Sequence, residues 1–165
     1  MSMIQLLLKE MDQEAQITRR MLSRVPDDKF DWQPHPRSMT IRQLATHIAE
    51  LPTWVSLSLT TNGIDFATTP YNPAILNTAE ELMASLEQSL ADGRNQLAQA
   101  TDEQLSEPWV MRQGDQIISA MTKGEAIRVS FSQIVHHRAQ LGVFLRLLDI
   151  PIPGSYGPSA DEPWF

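Results

Sequence analysis

Cysteine is absent from the 165-residue sequence. Its absence excludes disulfides, thiolate-bound metal sites and a cysteine nucleophile, and it gives no indication of redox compartment. Long apolar segments are lacking too, since no uninterrupted run approaches the roughly 20 residues that cross a membrane. The short apolar run at residues 3–8 is soon followed by charged residues, which is not typical of a signal peptide. We therefore expect a cytoplasmic protein with no membrane partner.

Positive charge is also scarce. The chain has 13 Lys and Arg residues against 20 Asp and Glu residues, which gives a formal net charge of −7. Because nucleic-acid binding depends on clustered Lys and Arg, and the basic residues here form no cluster in sequence, we expect no nucleic-acid partner. Glycine-rich phosphate loops, the serine nucleophile elbow and the two-histidine zinc-protease helix are missing as well.

Four amphipathic segments dominate what is present. In each, apolar residues recur at spacings of three, four and seven, the period of a helix with one buried face. Capping boxes at residues 40–43 and 122–125 mark the starts of the second and fourth helices, and Pro52 is expected to interrupt the second. The predicted helices cover residues 3–24, 40–59, 77–100 and 122–148. This pattern predicts an all-α four-helix bundle in a single domain, residues 1–165.

The connecting segments have weaker patterns. Residues 60–73 contain Asn-Gly and Asn-Pro pairs and are predicted to form a loop or two turns. Residues 107–121 have apolar residues on both sides of Gly114, which predicts a short β-hairpin between the third and fourth helices. Residues 151–165 are rich in proline and should be irregular. Gly93 lies on the apolar face of the third helix and indicates a close approach of another helix.

Two of the four histidines lie on the apolar faces of different predicted helices. His137 comes three residues after Ile134, and His47 comes three residues after Leu44, so each shares a face with a core residue. Burying an imidazole without a partner costs about 1–3 kcal/mol. That partner is either another protein group or a metal ion, and the spacing alone leaves both alternatives open.

A catalytic metal site of the zinc type needs three protein ligands and an open position. His47 and His137 could supply two of them. Gln133, one helical turn before His137, is a candidate third ligand, although an amide oxygen is a feeble ligand beside an imidazole. Glu50, one turn after His47, is a candidate general base, and a solvated carboxylate is the plainer alternative.

The other polar residues near these positions have ordinary interpretations. His136 is rotated by about 100° from its neighbour along the helix, so we expect it to form hydrogen bonds rather than to bind a metal. His35 lies between two prolines and should be exposed. Arg138 is expected on the surface or in an interface, with a contact to a phosphate or carboxylate as the alternative.

The sequence carries several landmarks in a fixed order. The first segment contains Val25-Pro26-Asp27, Phe30-Asp31-Trp32 and residues 44–50, Leu-Ala-Thr-His-Ile-Ala-Glu. The second is Val-His-His-Arg-Ala-Gln-Leu at residues 135–141, and it is followed by Pro-Ile-Pro-Gly and Tyr-Gly-Pro-Ser in the tail. These landmarks resemble those of the DinB-like (YfiT-like) family of metalloenzymes, and they span nearly the whole chain.

The resemblance implies a bundle of up-down-down-up topology that is often a homodimer. It also implies a divalent metal, nickel or zinc in many members, held by three histidines, and two imidazoles would accept iron as well. One of these histidines comes from the second helix and two, four residues apart, from the fourth. Carried over to this sequence, the ligands are His47 and His137, while Gln133 occupies the position where the family pattern has histidine.

Two hypotheses of different classes follow from the sequence. The first is a metal-dependent enzyme, a thiol-dependent transferase or a hydrolase, which uses a metal-activated water or thiolate. Its partners would be a small-molecule substrate and a low-molecular-weight thiol, as in characterised relatives. The second is a metal-free bundle that binds a small molecule or serves in a stress response without catalysis.

Overall fold

The computed structural model of this protein describes residues 2–163, and over that range it is mostly helical. Five α-helices and three strands follow one another along the chain. Their bounds are α1 Met3–Leu22, α2 Ile41–Glu50, α3 Thr53–Thr60, β1 Gly63–Asp65, α4 Ala79–Gln99, β2 Pro108–Gln113, β3 Gln116–Thr122 and α5 Lys123–Leu147. None of the helices in the described part of the chain is long and apolar enough to cross a membrane.

The predicted helix starts are confirmed by hydrogen bonds at the caps. The side chain of Thr40 accepts from the backbone N–H of Gln43, and the Gln43 side chain accepts from the Thr40 N–H in return. Thr122 and Glu125 form the same reciprocal pair at the start of α5. Each pair satisfies two donors that the first turn of a helix leaves free.

The predicted interruption at Pro52 is also confirmed, because α2 ends at Glu50 and α3 begins at Thr53. Proline has no N–H to donate to the carbonyl of Ile48, so the ladder of helical hydrogen bonds stops here. The chain passes close to α4 at this break, since a Cβ on Gly93 would lie 2.7 Å from the Pro52 carbonyl oxygen. The close approach expected at Gly93 is therefore present, and it holds the break between α2 and α3 against α4.

The small sheet requires a correction to the all-α prediction. The expected hairpin is present as β2 and β3, but residues 63–65, expected to be a loop, form a third strand that pairs with β2 in parallel. Three residues are too few to show a strand period in sequence. Gly63 permits the contact, since a Cβ at this position would lie 2.2 Å from the carbonyl oxygen of Val110.

The core forms where α1, α2 and α3 each pack against both α4 and α5. Its largest fully buried side chains are Trp109, Phe131, Leu22, Ile41, Leu44, Ile48, Leu82, Leu86, Leu97, Ile127, Leu141 and Leu145. Leu44 and Ile48 flank His47 on α2, whereas Ile134 and Leu141 flank His137 on α5. The same packing that buries the apolar faces therefore fixes the two histidine-bearing turns relative to each other.

The expectation that Arg138 lies at the surface or in an interface is wrong, and the alternative, a contact with a carboxylate, is confirmed. Its residue exposure is 2%, and its guanidinium donates to the carboxylate of Glu14 at 2.7 Å, to the Thr18 hydroxyl at 3.0 Å and to the Tyr156 hydroxyl at 2.7 Å. A buried charge needs such partners. Arg138 lies four residues after Ile134 on the buried face of α5, and its ion pair with Glu14 ties α5 to α1.

The proline-rich tail is irregular as predicted, but several contacts hold it in place. Asp161 accepts from the Arg146 guanidinium and, at 2.9 Å, from the backbone N–H of Ile152. Glu162 forms ion pairs with Arg20 and Arg24 at the end of α1. The tail thus packs across α1 and α5.

Candidate functional site

The two histidines singled out in the sequence are brought together. His47 lies in the last turn of α2 and His137 near the middle of α5, and their ring centroids are 4.8 Å apart with the planes at 74°. Both side chains are half-buried. The exposed ring of His136 lies 4.8 Å from that of His137. His35, in contrast, is exposed in the first loop and is not part of the pair.

A tyrosine from the segment between β1 and α4 completes one side of the pair. The Tyr71 hydroxyl lies 3.2 Å from His47 Nδ1 and 3.0 Å from Glu50 Oε2. The other oxygen of Glu50 accepts from the backbone N–H of Ala74 at 2.8 Å. Glu50 is therefore placed beside the histidines, and its carboxylate holds the segment that carries Tyr71.

His137 has its own hydrogen-bond partner on α5. Its Nδ1 lies 2.7 Å from Oε1 of Gln140, one turn further along the helix. Each imidazole of the pair thus has its Nδ1 in a hydrogen bond to a neighbouring side chain. This pattern is typical of metal-binding histidines, whose second nitrogen is oriented by an outer hydrogen bond.

The environment keeps both imidazoles in their neutral form. Burial lowers the pKa of His47, and the nearby His137 lowers it further. Burial also lowers the pKa of His137, although the hydrogen bond to the Gln140 amide oxygen opposes this effect and the proximity of His136 adds to it. Neutral imidazole is the form that binds metal ions.

The phenol of Tyr71 is kept protonated. Burial raises its pKa, and the charge of the Glu50 carboxylate and the hydrogen bond to it raise it further. The hydroxyl therefore retains a proton to donate at neutral pH.

A cavity of about 310 Å³ opens beside His47. Its lining residues are His47, Glu50, Thr53, Trp54, Leu57, Ile64, Phe66, Thr69, Pro70, Tyr71 and Asn72. Among the described residues that line it there is one carboxylate and neither lysine nor arginine. The cavity thus combines aromatic walls with a histidine, a phenol and a single negative charge.

A larger cavity, of about 600 Å³, lies between α5 and the tail. Apolar side chains such as Met21, Val143 and Leu147 make up much of its wall, and it includes neither histidine of the pair. Size alone would favour it as the binding site. We assign the candidate site to the smaller cavity, because His47, Glu50 and Tyr71 line it and His137 lies next to it, against the His47 ring.

Gln133, the candidate third metal ligand, is exposed on α5, one turn before His137. Its side chain takes part in none of the hydrogen bonds among residues 2–163. Over the same range, no group of three or more His, Cys, Asp or Glu side chains is arranged to hold a metal ion. The donor set is therefore two neutral imidazoles, which fits a divalent ion that takes its other ligands from solvent, substrate or an amide.

Sequence reasoning missed two partners of the histidines. Gln140 lies three residues after His137, a spacing at which helical side chains meet, so its role was open to prediction. Tyr71 lies in an irregular segment that no periodicity relates to α2. Asn72 and Pro73, which follow it, indicate a turn but do not indicate which helix the turn will cover.

The chain matches the profile described as the DinB family over residues 1–164. YrdA of Bacillus subtilis (strain 168) is 23% identical to it over 156 residues, which is 94% of this chain and 89% of that protein. These similarities confirm the resemblance that the sequence motifs indicated.

Solved structures share the fold. The DinB-like protein YjoA of Bacillus subtilis has a TM-score of 0.70 at 14% identity, covering 91% of this chain and 97% of its own. A DinB-like protein of Bacillus cereus ATCC 10987 also has a TM-score of 0.70, at 19% identity with coverage of 91% and 95%. The mycothiol-dependent maleylpyruvate isomerase has a TM-score of 0.61 at 15% identity, covering 84% of this chain and 60% of that one. At such identities the likeness concerns the fold.

Proposed function

The chain belongs to the DinB family. We propose that this member is a divalent-metal-dependent enzyme that acts on a small organic molecule. The observation that supports this most strongly is the pairing of His47 with His137, two neutral imidazoles from separate helices at 4.8 Å between ring centroids. Imidazole nitrogens bind nickel, zinc and iron, and nickel or zinc are the metals that the family resemblance implies. Gln133 is retained as a weak or water-bridged third ligand.

In this proposal the chain's own residues orient the site. His47 and His137 would hold the ion, while Tyr71 and Gln140 fix the two imidazole rings through their Nδ1 atoms. A bound divalent ion supplies Lewis acidity, which favours deprotonation of a water or a thiol at neutral pH. The aromatic walls of the adjacent cavity would exclude bulk water and orient the substrate beside His47.

The cavity limits the kind of substrate. About 310 Å³ is enough for a small organic molecule, and the walls formed by Trp54, Phe66 and Tyr71 favour an apolar or aromatic part. Glu50 is the only charged side chain among the described lining residues. A bound divalent ion would add two positive charges beside it, so the site would also accept a substrate with an anionic group.

The reaction class that we propose is thiol-dependent transfer or isomerisation, or hydrolysis. The fold shared with a mycothiol-dependent isomerase supports the thiol alternative. Glu50 was a candidate general base, but both of its oxygens already accept hydrogen bonds, from Tyr71 and from the Ala74 N–H. Its contacts favour a role in holding Tyr71 over a role in proton transfer.

Several wider expectations belong to the same proposal. We consider α2 and α3 to be one bundle helix broken at Pro52, which gives four helices in up-down-down-up order within a single domain. We also expect a cytoplasmic homodimer without nucleic-acid partners.

The second candidate function is a metal-free binding module. It is favoured by the absence, among residues 2–163, of any group of three or more His, Cys, Asp or Glu side chains arranged to hold a metal ion. In that case the hydrogen bonds of the two histidines would serve packing, and the cavity would hold an organic ligand without catalysis.

Thermal unfolding with added metal separates the two candidates. Zinc at about 100 times its dissociation constant should stabilise the wild-type protein by about 2.7 kcal/mol, which is a rise in Tm of roughly 5–10 °C. For a metal site, His47→Ala should abolish that rise, whereas the control His35→Ala in the exposed loop should retain it. For a metal-free module, zinc should not change the Tm of the wild type, His47→Ala or His35→Ala. His47→Ala should then have a lower Tm than the wild type both with and without zinc.

A further inference from the structure

Tyr71 connects Glu50 to His47 through a single hydroxyl. Its oxygen lies 3.0 Å from Glu50 Oε2 and 3.2 Å from His47 Nδ1. A phenol has one proton to donate, and an ionised carboxylate can only accept. The phenol proton must therefore go to Glu50, and the phenol oxygen must accept its second hydrogen bond from His47.

The other contacts of Glu50 support this direction. Its Oε1 accepts the backbone N–H of Ala74 at 2.8 Å, so both oxygens act as acceptors, as in a carboxylate. The reverse arrangement, in which Tyr71 donates to His47 Nδ1, would leave the phenol oxygen 3.0 Å from a carboxylate oxygen with no proton between them. Two acceptors at that distance repel each other.

We infer that Tyr71 is a positioning residue that fixes His47 as the tautomer with its proton on Nδ1. The lone pair of the ring is then on Nε2, available to a ligand. The tautomer follows from the hydrogen bonds alone, whereas the use of Nε2 to bind a metal rests on the proposed function. Glu50 orients Tyr71 by accepting a hydrogen bond from its hydroxyl, and Tyr71 in turn orients the His47 ring. In many metal sites a carboxylate accepts directly from the histidine, without a phenol between them.

His137 provides an internal comparison. Its Nδ1 lies 2.7 Å from Gln140, and an amide can either accept through its oxygen or donate through its nitrogen after rotation by 180°. Gln140 therefore leaves the tautomer of His137 open. A change at Tyr71 should alter the tautomer of His47 and leave that of His137 as it was.

The tautomers are measured on the metal-free, full-length protein with ¹⁵N-labelled imidazoles. Long-range ¹H–¹⁵N spectra at about pH 8, where histidine is neutral, show which ring nitrogen carries the proton. We expect His47 to carry it on Nδ1 in the wild type, and Tyr71→Phe to give a mixture of both tautomers. In Glu50→Gln the new amide can donate to the phenol oxygen, so the phenol proton becomes free for Nδ1 and the tautomer should reverse.

Tyr156→Phe is the matched control, since it removes the same hydroxyl from the only other tyrosine of the chain. Tyr156 contacts Glu14 and Arg138 instead of the histidine pair. Its replacement should leave the His47 signals unchanged. A wild-type His47 with its proton on Nε2, or an equal effect of the two tyrosine variants, would overturn the inference.

Zinc titration by calorimetry then tests the consequence for binding. Loss of an outer-shell partner commonly weakens metal binding by about 10–100-fold, so Tyr71→Phe should bind zinc that much more weakly than Tyr156→Phe. Equal zinc affinity in the two variants would contradict a positioning role. If the wild type binds no zinc while the tautomers behave as expected, the proposed metal dependence is wrong. The inference that Tyr71 fixes the tautomer of His47 is then still supported.

Discussion

The imidazole rings of His47 and His137 meet edge to face, with centroids 4.8 Å apart, although one lies on α2 and the other on α5. The pKa of each imidazole is lowered, and burial is the largest cause in both. Both rings are therefore neutral at pH 7 and able to act as ligands. This pair is the feature on which the proposed function depends.

Replacing Gln133 with histidine should strengthen metal binding. The new imidazole would lie one turn before His137, a spacing at which two side chains can share one ion. Because even an outer-shell partner is worth about 10–100-fold in affinity, we expect Gln133→His to tighten zinc or nickel binding by at least tenfold in calorimetric titrations. Val129→His is the control, since it adds an exposed imidazole on the same helix but about two turns before His136 and His137, too far to share an ion with either. An equal gain in both variants would indicate non-specific binding.

Adding a methyl group at Gly93 should destabilise the protein. The new Cβ would lie 2.7 Å from the carbonyl oxygen of Pro52, a backbone atom that cannot rotate away. Overpacking typically costs about 1–3 kcal/mol, and the better helix propensity of alanine returns about 1 kcal/mol. We expect Gly93→Ala to lower the free energy of unfolding by up to about 2 kcal/mol in urea denaturation, the difference between these two contributions. Gly157→Ala, where nothing lies within 4 Å, should be nearly neutral.

Arg138 should matter far more to stability than an exposed arginine on the same helix. Removing one partner of a buried ion pair leaves the other charge uncompensated and costs about 3–5 kcal/mol. Arg138→Met should therefore lower the free energy of unfolding by about that amount. Arg128→Met removes the exposed ion pair with Glu10 and should cost less than about 1 kcal/mol. Similar losses in the two variants would argue against a buried charge at Arg138.

Acid should loosen the tail at Asp161. Its hydrogen bonds to the Arg146 guanidinium and to the Ile152 N–H lower the pKa of the Asp161 carboxyl below its usual range. A lowered pKa contributes stability above the usual value of about 3.9, and that stability is lost as the pH falls through the folded pKa. The amide signal of Ile152 should therefore shift below about pH 4 in NMR spectra. In Asp161→Asn the same shift should be absent, and its persistence would point to another group.

Local sequence signals were sufficient for the helices and for the choice of histidines. The capping boxes, the period of the apolar residues and Pro52 each act within one or two turns, so they can be read without knowing the fold. The same period placed His47 and His137 beside core residues on two helices. That they meet depends on how α2 and α5 pack, and the sequence pattern does not contain that information.

The remaining features depend on partners distant in sequence. Arg138 lies on the apolar face of α5, but only the approach of Glu14 from α1 makes its burial tolerable. Strand β1 forms because β2 offers it hydrogen bonds, and three residues carry no period of their own. Tyr71 reaches His47 because Glu50 binds both its hydroxyl and the N–H of Ala74. None of these contacts follows from residues within one helical turn.

Metal content tests most directly whether His47 and His137 hold a divalent ion. It is measured by mass spectrometry on protein purified without an affinity tag or chelator, alongside His137→Ala and the control His35→Ala. We expect nearly one equivalent of nickel, zinc or iron in the wild type and in His35→Ala, and its loss in His137→Ala. A wild-type protein that holds no metal, even after incubation with zinc or nickel, would show that the histidine pair is not a metal site.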